Sequence, residues 1–373
     1  MRVLWITWKD YMHPEAGGAE VVAYHLITRM IKEGHDVTML TCGYKDAPAA
    51  EDRDGLHIIR VGTSRYFHPL QALAYYRKHL RNKFDVLIEE VNGAAPYFSV
   101  FFEHKAKKYM LYHQLARKNW LYEVPKPLSY LGYWLLAPGA SRLASLAKTD
   151  VITVSDSTRN VLAEHGFKPE RISIISEGLA NEPVASLDGI QKYSQPTILS
   201  FGAMRAMKRT IDHIKAFEIA KKQIPDLQLK IAGGGAKSAY GKQVLQFAAE
   251  SPYAGDITYL GRISDEEKLE VMQRSHITLQ TAVEEGWGLT ITEAASQGTP
   301  AVAYDVDGLR DSVKHKVTGI ITDTNPEALA EGIVTILKNQ SVYKTLRQAG
   351  WEWSKDITFD RSYQDFKQIV GLS

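Results

Sequence analysis

The stretch Glu284-Glu285-Gly286-Trp287-Gly288-Leu289-Thr290-Ile291-Thr292-Glu293-Ala294-Ala295-Ser296-Gln297-Gly298-Thr299-Pro300 holds a loop, a helix and a stop signal in one run. The residues before it, 277–280, read as a strand. Gly286 and Gly288 keep the backbone out of a helix until Leu289, and Gly298-Thr299-Pro300 ends the helix that follows. A helix starting there leaves the amides of Leu289 and Thr290 without intrahelical partners, a ready site for a phosphate. Glu285 falls in the loop and Glu293 about one turn into the helix. One carboxylate then lies beyond the phosphate end and one behind it, which suits hydroxyls at opposite ends of an extended nucleotide sugar. The same residues also fit a capped surface helix with solvated glutamates, and physics alone leaves both readings open.

The strand–helix rhythm extends in both directions from this stretch. Apolar, β-branched runs over 2–7, 36–41, 56–61, 85–89, 108–113, 151–155 and 172–175 alternate with helical patterns over 19–33, 69–83, 127–147 and 157–165. Residues 179–196, with Gly, Asn, Pro, Ser and Asp but no periodicity, interrupt it. Strands over 197–201, 228–232, 257–260, 277–280, 301–304 and 319–321 then alternate with helices over 210–223, 238–249, 265–274 and 290–297, and helices over 326–338, 342–349 and 362–370 end the chain. Near-continuous apolar strands alternating with helices mark parallel sheets covered on both faces. A length of 373 residues exceeds what one core usually serves. The sequence therefore predicts an α/β fold of two Rossmann-like, doubly wound domains: 1–180, a linker over 181–196, 197–355, and a C-terminal helix over 356–373 that packs back on the first domain. Ligands of such sheets sit at the carboxyl ends of strands, so two sheets facing each other predict an interdomain cleft.

Composition narrows the function. Formal net charge is +2, which gives no reason to invoke nucleic acid, although 65–148 holds 13 Lys/Arg against 5 Asp/Glu. Cys42 is the only cysteine, so no intramolecular disulfide and no cysteine-based zinc site can form, which suits a reducing, cytoplasmic setting. The amino terminus is too short and strand-like for a secretory signal. The longest apolar run, 130–140, is broken by Gly132 and Pro138 and falls short of the roughly 20 residues of a membrane span. No G-x-G-x-x-G or G-x-x-x-x-G-K-[ST] occurs, which disfavours dehydrogenase and P-loop chemistry.

Glu285-x7-Glu293 resembles the E-x7-E signature of the retaining glycosyltransferases of family 4, which have the GT-B fold. The resemblance spans nearly the whole chain: His13-Pro14-Glu15-Ala16-Gly17-Gly18-Ala19-Glu20 is similar to the family's Gly-Gly loop, and Val154-Ser155 to its "vxVS" segment. Phe201-Gly202-Ala203-Met204-Arg205-Ala206-Met207-Lys208 and Tyr259-Leu260-Gly261-Arg262-Ile263 are similar to its "fvGRl…K" and "flG" segments. The resemblance implies a metal-independent hexosyltransferase that uses a nucleoside-diphosphate sugar as substrate, needs no cofactor and retains the anomeric configuration. Arg205 and Lys208 would clamp the diphosphate, where developing negative charge must be neutralised. The family continues Lys-Gly where this chain has Lys208-Arg209. His113, at a strand end, would lie by the donor sugar, Glu285 would hold sugar hydroxyls and Glu293 the ribose. Gly17 and Gly18, between the first strand and first helix, let backbone amides approach the distal phosphate. Gly286, Gly288, Leu289 and Thr290 complete the phosphate loop, and Gly233, Gly234, Arg262 and Ile263 are base-side candidates. A strand-end histidine or a βα-loop cation also fits a purely structural role.

The acceptor side is read from 65–134. Residues 68–84 place Leu70, Leu73, Ala74, Leu80 and Phe84 on one helical stripe, with Arg77, Lys78, Arg81 and Lys83 beyond it. Lys105, Lys107, Lys108, Arg117 and Lys118 follow, interleaved with Trp120, Tyr122, Tyr130, Tyr133 and Trp134. This pattern reads either as a surface docking on anionic lipid, at the inner face of the plasma membrane, to reach a lipid-linked or cell-envelope glycan acceptor, or as a core-facing helix with snorkelling cations. Two other functions share the cleft physics: a GT-B sugar-nucleotide epimerase and a non-catalytic nucleotide-sugar-binding protein.

Overall fold

Residues 1–64, 67–92 and 96–372 are described by the computed structural model, and the chain forms two units, Met1–Gly178 with Thr358–Ser373, and Leu179–Ile357. The first unit is built on β1 (Arg2–Ile6), β2 (Asp36–Thr41), β3 (Ala50–Arg53), β4 (Leu56–Arg60), β5 (Val86–Val91), β6 (Lys107–Tyr112), β7 (Asp150–Thr153) and β8 (Ile172–Ile174). They lie in the order β3-β4-β2-β1-β5-β6-β7-β8. Every pairing is parallel except that of β3 with β4. Val3, Leu4, Trp5 and Ile6 are fully buried, as are Val86 and Ile88, because helices cover both faces of the sheet. The terminal helix Phe359–Val370 is one of them: Phe366 packs on Trp5 at 5.9 Å between ring centroids, His25 stacks on Phe359 at 3.9 Å, and the Tyr109 hydroxyl donates to the Ile369 carbonyl at 3.2 Å.

β3 is absent from the sequence reading because Ala50-Glu51-Asp52-Arg53 has no apolar alternation; it is a solvent-facing edge strand. Its signal was the turn. Asp54 and Gly55 have φ of 51° and 84°, the positive pair that a tight two-residue hairpin requires.

The helix expected over 69–83 runs His68–Tyr75 and widens into a π-helical turn, Tyr76–Leu80, closed by the Arg81 amide on the Tyr76 carbonyl at 2.8 Å. Its core face is His68, Ala72, Tyr76 and Leu80. Of the stripe expected from hydropathy, Leu80 is buried, Leu73 and Phe84 are half-buried, and Leu70 and Ala74 are exposed. The polar residues take the inner face because partners meet them there: the ring nitrogens of His68 lie 3.1 and 3.2 Å from the Val61 and Thr7 carbonyls, so that either tautomer donates to one of them, and the Tyr76 hydroxyl donates to Glu103 at 2.6 Å. Arg65, at which the basic stretch begins, lies outside the described residues.

The second unit is a parallel sheet of β9 (Thr197–Phe201), β10 (Gln228–Ala232), β11 (Ile257–Gly261), β12 (Ile277–Gln280), β13 (Ala301–Tyr304) and β14 (Gly319–Thr322) in the order β11-β10-β9-β12-β13-β14. Ile198, Leu229, Ile231, Leu279 and Val302 meet Phe217, Ile333 and Ile336 of the covering helices in one core. Residues 181–196, read from composition as a linker, are fastened to this unit. The Val184 amide donates to the Ser296 carbonyl at 3.0 Å, and its carbonyl accepts from the Trp351 indole at 2.8 Å. The Lys192 ammonium reaches the Ser275 and Gly298 carbonyls and the Thr299 hydroxyl at 2.7–2.9 Å. Composition shows that a segment lacks periodicity; it does not show that its polar groups find partners.

Candidate active site

In the second unit the chain runs from β9 to β10 and β11 on one side and returns to β12 on the other. The loops leaving β9 and β12 therefore meet at the topological switch point of the carboxyl edge, where ligands of such sheets bind. The candidates gather along that edge. Arg205 and Lys208 follow β9, Gly233 and Gly234 follow β10, Arg262 and Ile263 follow β11, and Glu285 to Thr290 follow β12. The Lys208 ammonium is paired with Glu285 Oε1; the two side chains are 29% and 16% exposed. The two loops are tied at the backbone as well, the Val283 amide donating to the Met207 carbonyl at 2.9 Å and the Thr281 hydroxyl to the Lys208 carbonyl at 2.8 Å.

That hydroxyl also meets buried His213. With its proton on the Lys208 carbonyl, Thr281 Oγ1 accepts from His213 Nε2 at 2.7 Å, and His213 Nδ1 accepts from the Ser200 hydroxyl at 2.7 Å. Burial holds the ring neutral, its pKa lowered to about 3. Ser200, His213 and Thr281 thus fix the carbonyl of the lysine that contacts Glu285.

Glu285 is held from its other side by Gly308. Its amide donates to the Asp307 carbonyl at 3.1 Å, and a Cβ on Gly308 would fall 2.2 Å from its carbonyl oxygen, at a φ of +81°. Only glycine fits that approach. The helix Leu289–Ser296 begins where the sequence predicts, with Gly288 as its N-cap, which turns the Leu289 and Thr290 amides toward the end of the helix with no intrahelical acceptor. Glu293 is paired with Lys268 of the helix Asp265–Arg274 at 2.8 Å, and that ammonium also lies 5.8 Å from the Phe201 ring centroid. Nothing in the spacing of Lys268 marks it beforehand. The Gly233 amide donates to the Gly261 carbonyl and the Gly234 carbonyl accepts from the Met204 amide, both at 2.8 Å, so these two glycines lace the ends of β9, β10 and β11 together.

The first unit has its own cluster at the carboxyl edge, around His113. His113 Nε2 lies 3.1 Å from Glu90 Oε1, and the Trp5 indole donates to Glu90 Oε2 at 2.5 Å. Burial opposes the imidazolium, but the hydrogen bond to Glu90 and the charges of Glu90, Glu177 and Glu20 outweigh it and raise the His113 pKa. Glu177 is raised to about 7 by burial, against the charge of His113. Glu20 is raised by burial, with Lys9 at 3.6 Å opposing. Gly17 caps the helix Gly18–Lys32, and its amide donates to Glu20 Oε2 at 2.6 Å, so that amide is engaged by a carboxylate of its own helix. Asn92 donates to Glu20 Oε1 at 2.8 Å. Glu177 Oε2, Asn92 Oδ1 and Gln114 Oε1 are buried with no hydrogen-bond partner, which makes the cluster rich in acceptors for hydroxyl donors. Glu90, not singled out in the sequence, did carry a signal: two carboxylates inside Val86-Leu87-Ile88-Glu89-Glu90-Val91 are out of place in a strand buried on both faces, and the other, Glu89, is taken up by the amides of Tyr97, Phe98, Ser99 and Val100. Among the described residues, no group of three His, Cys, Asp or Glu is placed to hold a metal ion, and no helix is long and apolar enough to cross a membrane.

Similarity to known proteins agrees with these two sheets. The chain is 23% identical over 363 residues, 95% of its own length and 96% of the relative's, to an uncharacterized glycosyltransferase of Haemophilus influenzae. Sucrose-phosphate synthase from Thermosynechococcus elongatus superposes with a TM-score of 0.78 at 19% identity, covering 100% of both chains. HepE of Anabaena, solved in complex with UDP-glucose, superposes with a TM-score of 0.73 at 14% identity over 100% of this chain and 99% of that one. The model of Glycosyltransferase Family 4 matches residues 16–181 and that of Glycosyl transferases group 1 matches residues 189–353. The chain belongs to the group 1 glycosyltransferases of GT-B fold.

Proposed function

We propose that this glycosyltransferase moves a hexose from a nucleoside-diphosphate sugar to an acceptor hydroxyl, without a metal ion and with retention at the anomeric carbon. The observation that carries the reading is the meeting of Lys208 with Glu285 beside a helix that starts at Leu289. A cation and a helix end at the carboxyl edge suit a diphosphate, and the carboxylate between them suits the sugar it carries. That HepE binds UDP-glucose supports a nucleotide sugar as donor.

In the proposed reaction the acceptor oxygen attacks the anomeric carbon on the face from which the diphosphate leaves. The bond from that carbon to the phosphate oxygen breaks, and the acceptor proton passes to the departing phosphate oxygen, so no protein nucleophile is consumed. Arg205, Lys208 and the amides of Leu289 and Thr290 take up the negative charge that develops, with Gly286 and Gly288 shaping the loop. Glu285 holds hydroxyls of the transferred sugar and Glu293, beside Lys268, those of the ribose. Gly233, Gly234, Arg262 and Ile263 border the base. On the first unit, His113 serves the transferred sugar and Gly17-Gly18 the distal phosphate. The acceptor is a lipid-linked or cell-envelope glycan, reached at the cytoplasmic face of an anionic membrane. Glu285→Gln tests the assignment: turnover should fall heavily while the melting temperature drops by only about 1–3 °C, and wild-type turnover would remove Glu285 from the site.

A further inference from the structure

The helical run over 128–145 is amphipathic in the reverse of the usual sense. It comprises Leu128–Leu131, a π-helical turn Gly132–Leu136, and Ala137–Ser145. Its buried positions are all small: Ser129, Gly132, Ala137, Ser141 and Ala144. Facing outward are Leu128, Leu131, Trp134, Leu135, Leu136 and Leu143, with Leu146 just beyond; Trp134 is 72% exposed, Leu146 67% and Leu135 61%. A core-packing helix turns its large apolar residues inward. Here the small ones let the backbone lie close to its own unit: a Cβ on Gly132 would fall 1.9 Å from the Trp120 ring. The large ones are left outside as a ridge of seven exposed apolar side chains within nineteen residues, and exposed apolar clusters mark interaction sites.

Charge identifies the occupant. Residues 117–148 contain Arg117, Lys118, Lys126, Arg142 and Lys148 against Glu123 alone, and Lys118, Lys126, Arg142 and Lys148 are exposed. At the far end of the run, a cavity of about 180 Å³ is lined by Lys148, Lys168 and Arg171 together with Ser145 and Leu146. A symmetric dimer across the ridge would set these cations against their own copies, and protein interface cores are depleted of lysine. An apolar ridge ringed by cations of one sign matches the headgroup–acyl boundary of an anionic bilayer.

We propose that the outward face over 128–146 inserts into an anionic membrane, led by Trp134, Leu135 and Leu136, with Lys118, Lys126, Arg142 and Lys148 on the headgroups. The inference rests on the membrane reading above and narrows its surface from residues 65–134 to the run that begins at Leu128, since the helix at 68–80 already spends one face on the core. Co-sedimentation of the full chain with vesicles at low salt tests it. Wild type should pellet with phosphatidylcholine–phosphatidylglycerol vesicles and not with phosphatidylcholine alone. The triple variant W134S/L135S/L136S should reduce the bound fraction at least about tenfold, with unchanged circular dichroism and melting, whereas L70S should pellet as wild type does. If the triple variant also pellets as wild type, the ridge is overturned and membrane binding stands. If wild type pellets with neither vesicle, both fall, and a wild-type dimer that the triple variant dissociates would name a second copy as the occupant instead.

Discussion

Lys208→Met separates a lysine that acts on the leaving group from one that only ties two loops together. The Lys208–Glu285 pair is partly exposed, at 29% and 16%, so solvent screens it and its loss should cost about 0.5–1 kcal/mol of stability. The loop has independent restraints in the Thr281 hydroxyl on the Lys208 carbonyl and the Val283 amide on the Met207 carbonyl, neither of which involves the ammonium. Its backbone should therefore persist in the variant. A cation that neutralises a departing diphosphate is worth far more in the transition state: removing one such group typically lowers kcat by about 10²–10³, or about 2.7–4 kcal/mol. Release of nucleoside diphosphate from the donor, followed alongside urea unfolding, measures the two quantities on the same preparations. The double variant Lys208→Met/Glu285→Gln isolates their coupling from the cost of leaving Glu285 alone. A kcat/KM for Lys208→Met within about fivefold of wild type would refute the reasoning, because about 1 kcal/mol is all that a loop tie can supply.

Gly308→Ala puts a Cβ 2.2 Å from the Glu285 carbonyl at a φ of +81°, so it should cost at least about 1–2 kcal/mol and lower turnover; unchanged melting and rate would show that the loop yields freely. His213 titrates near 6.5 when unfolded and at about 3 when folded. The unfolded state therefore takes up the proton first, and stability falls as pH drops below 6.5, by about 1.4 kcal/mol per unit. Urea titrations should show a shallower acid slope for His213→Asn between pH 6 and pH 4, and an identical slope would contradict a buried neutral ring. A thermal-shift panel of nucleotide sugars should show one donor stabilising the chain by about 2.7 kcal/mol at a hundredfold excess over Kd, and a flat panel would count against donor binding.

Much of this architecture is legible because strands buried on both faces leave a continuous apolar trace, and β2, β9, β10, β12 and β13 fall at the bounds read from that trace alone. The E-x7-E stretch likewise announces its own helix start at Leu289. What hydropathy misses are positions where a polar side chain is satisfied inside. His68 and Tyr76 sit on a core face while Leu70 does not, and Lys192 turns an apparent linker into a fastening. The partner of Glu293 is invisible for a different reason: Lys268 arrives from another helix, and no local period encodes such a meeting. The ridge over 128–146 shows the limit from the other side. A hydrophobic pattern states that a helix has an apolar face but not which side its own protein takes, and here the small residues took the inside.

The order of assembly on the ribosome follows from where the terminal helix belongs. The amino-terminal sheet receives the covering helix Phe359–Val370 only after the whole of the second unit, Leu179–Ile357, has emerged. Until that helix is made, Trp5 lacks Phe366 and His25 lacks Phe359, leaving an oily seam bare while the later-made unit already has all of Leu179–Ile357. Stopping the chain before Phe359 should therefore harm the half of the enzyme that was made first.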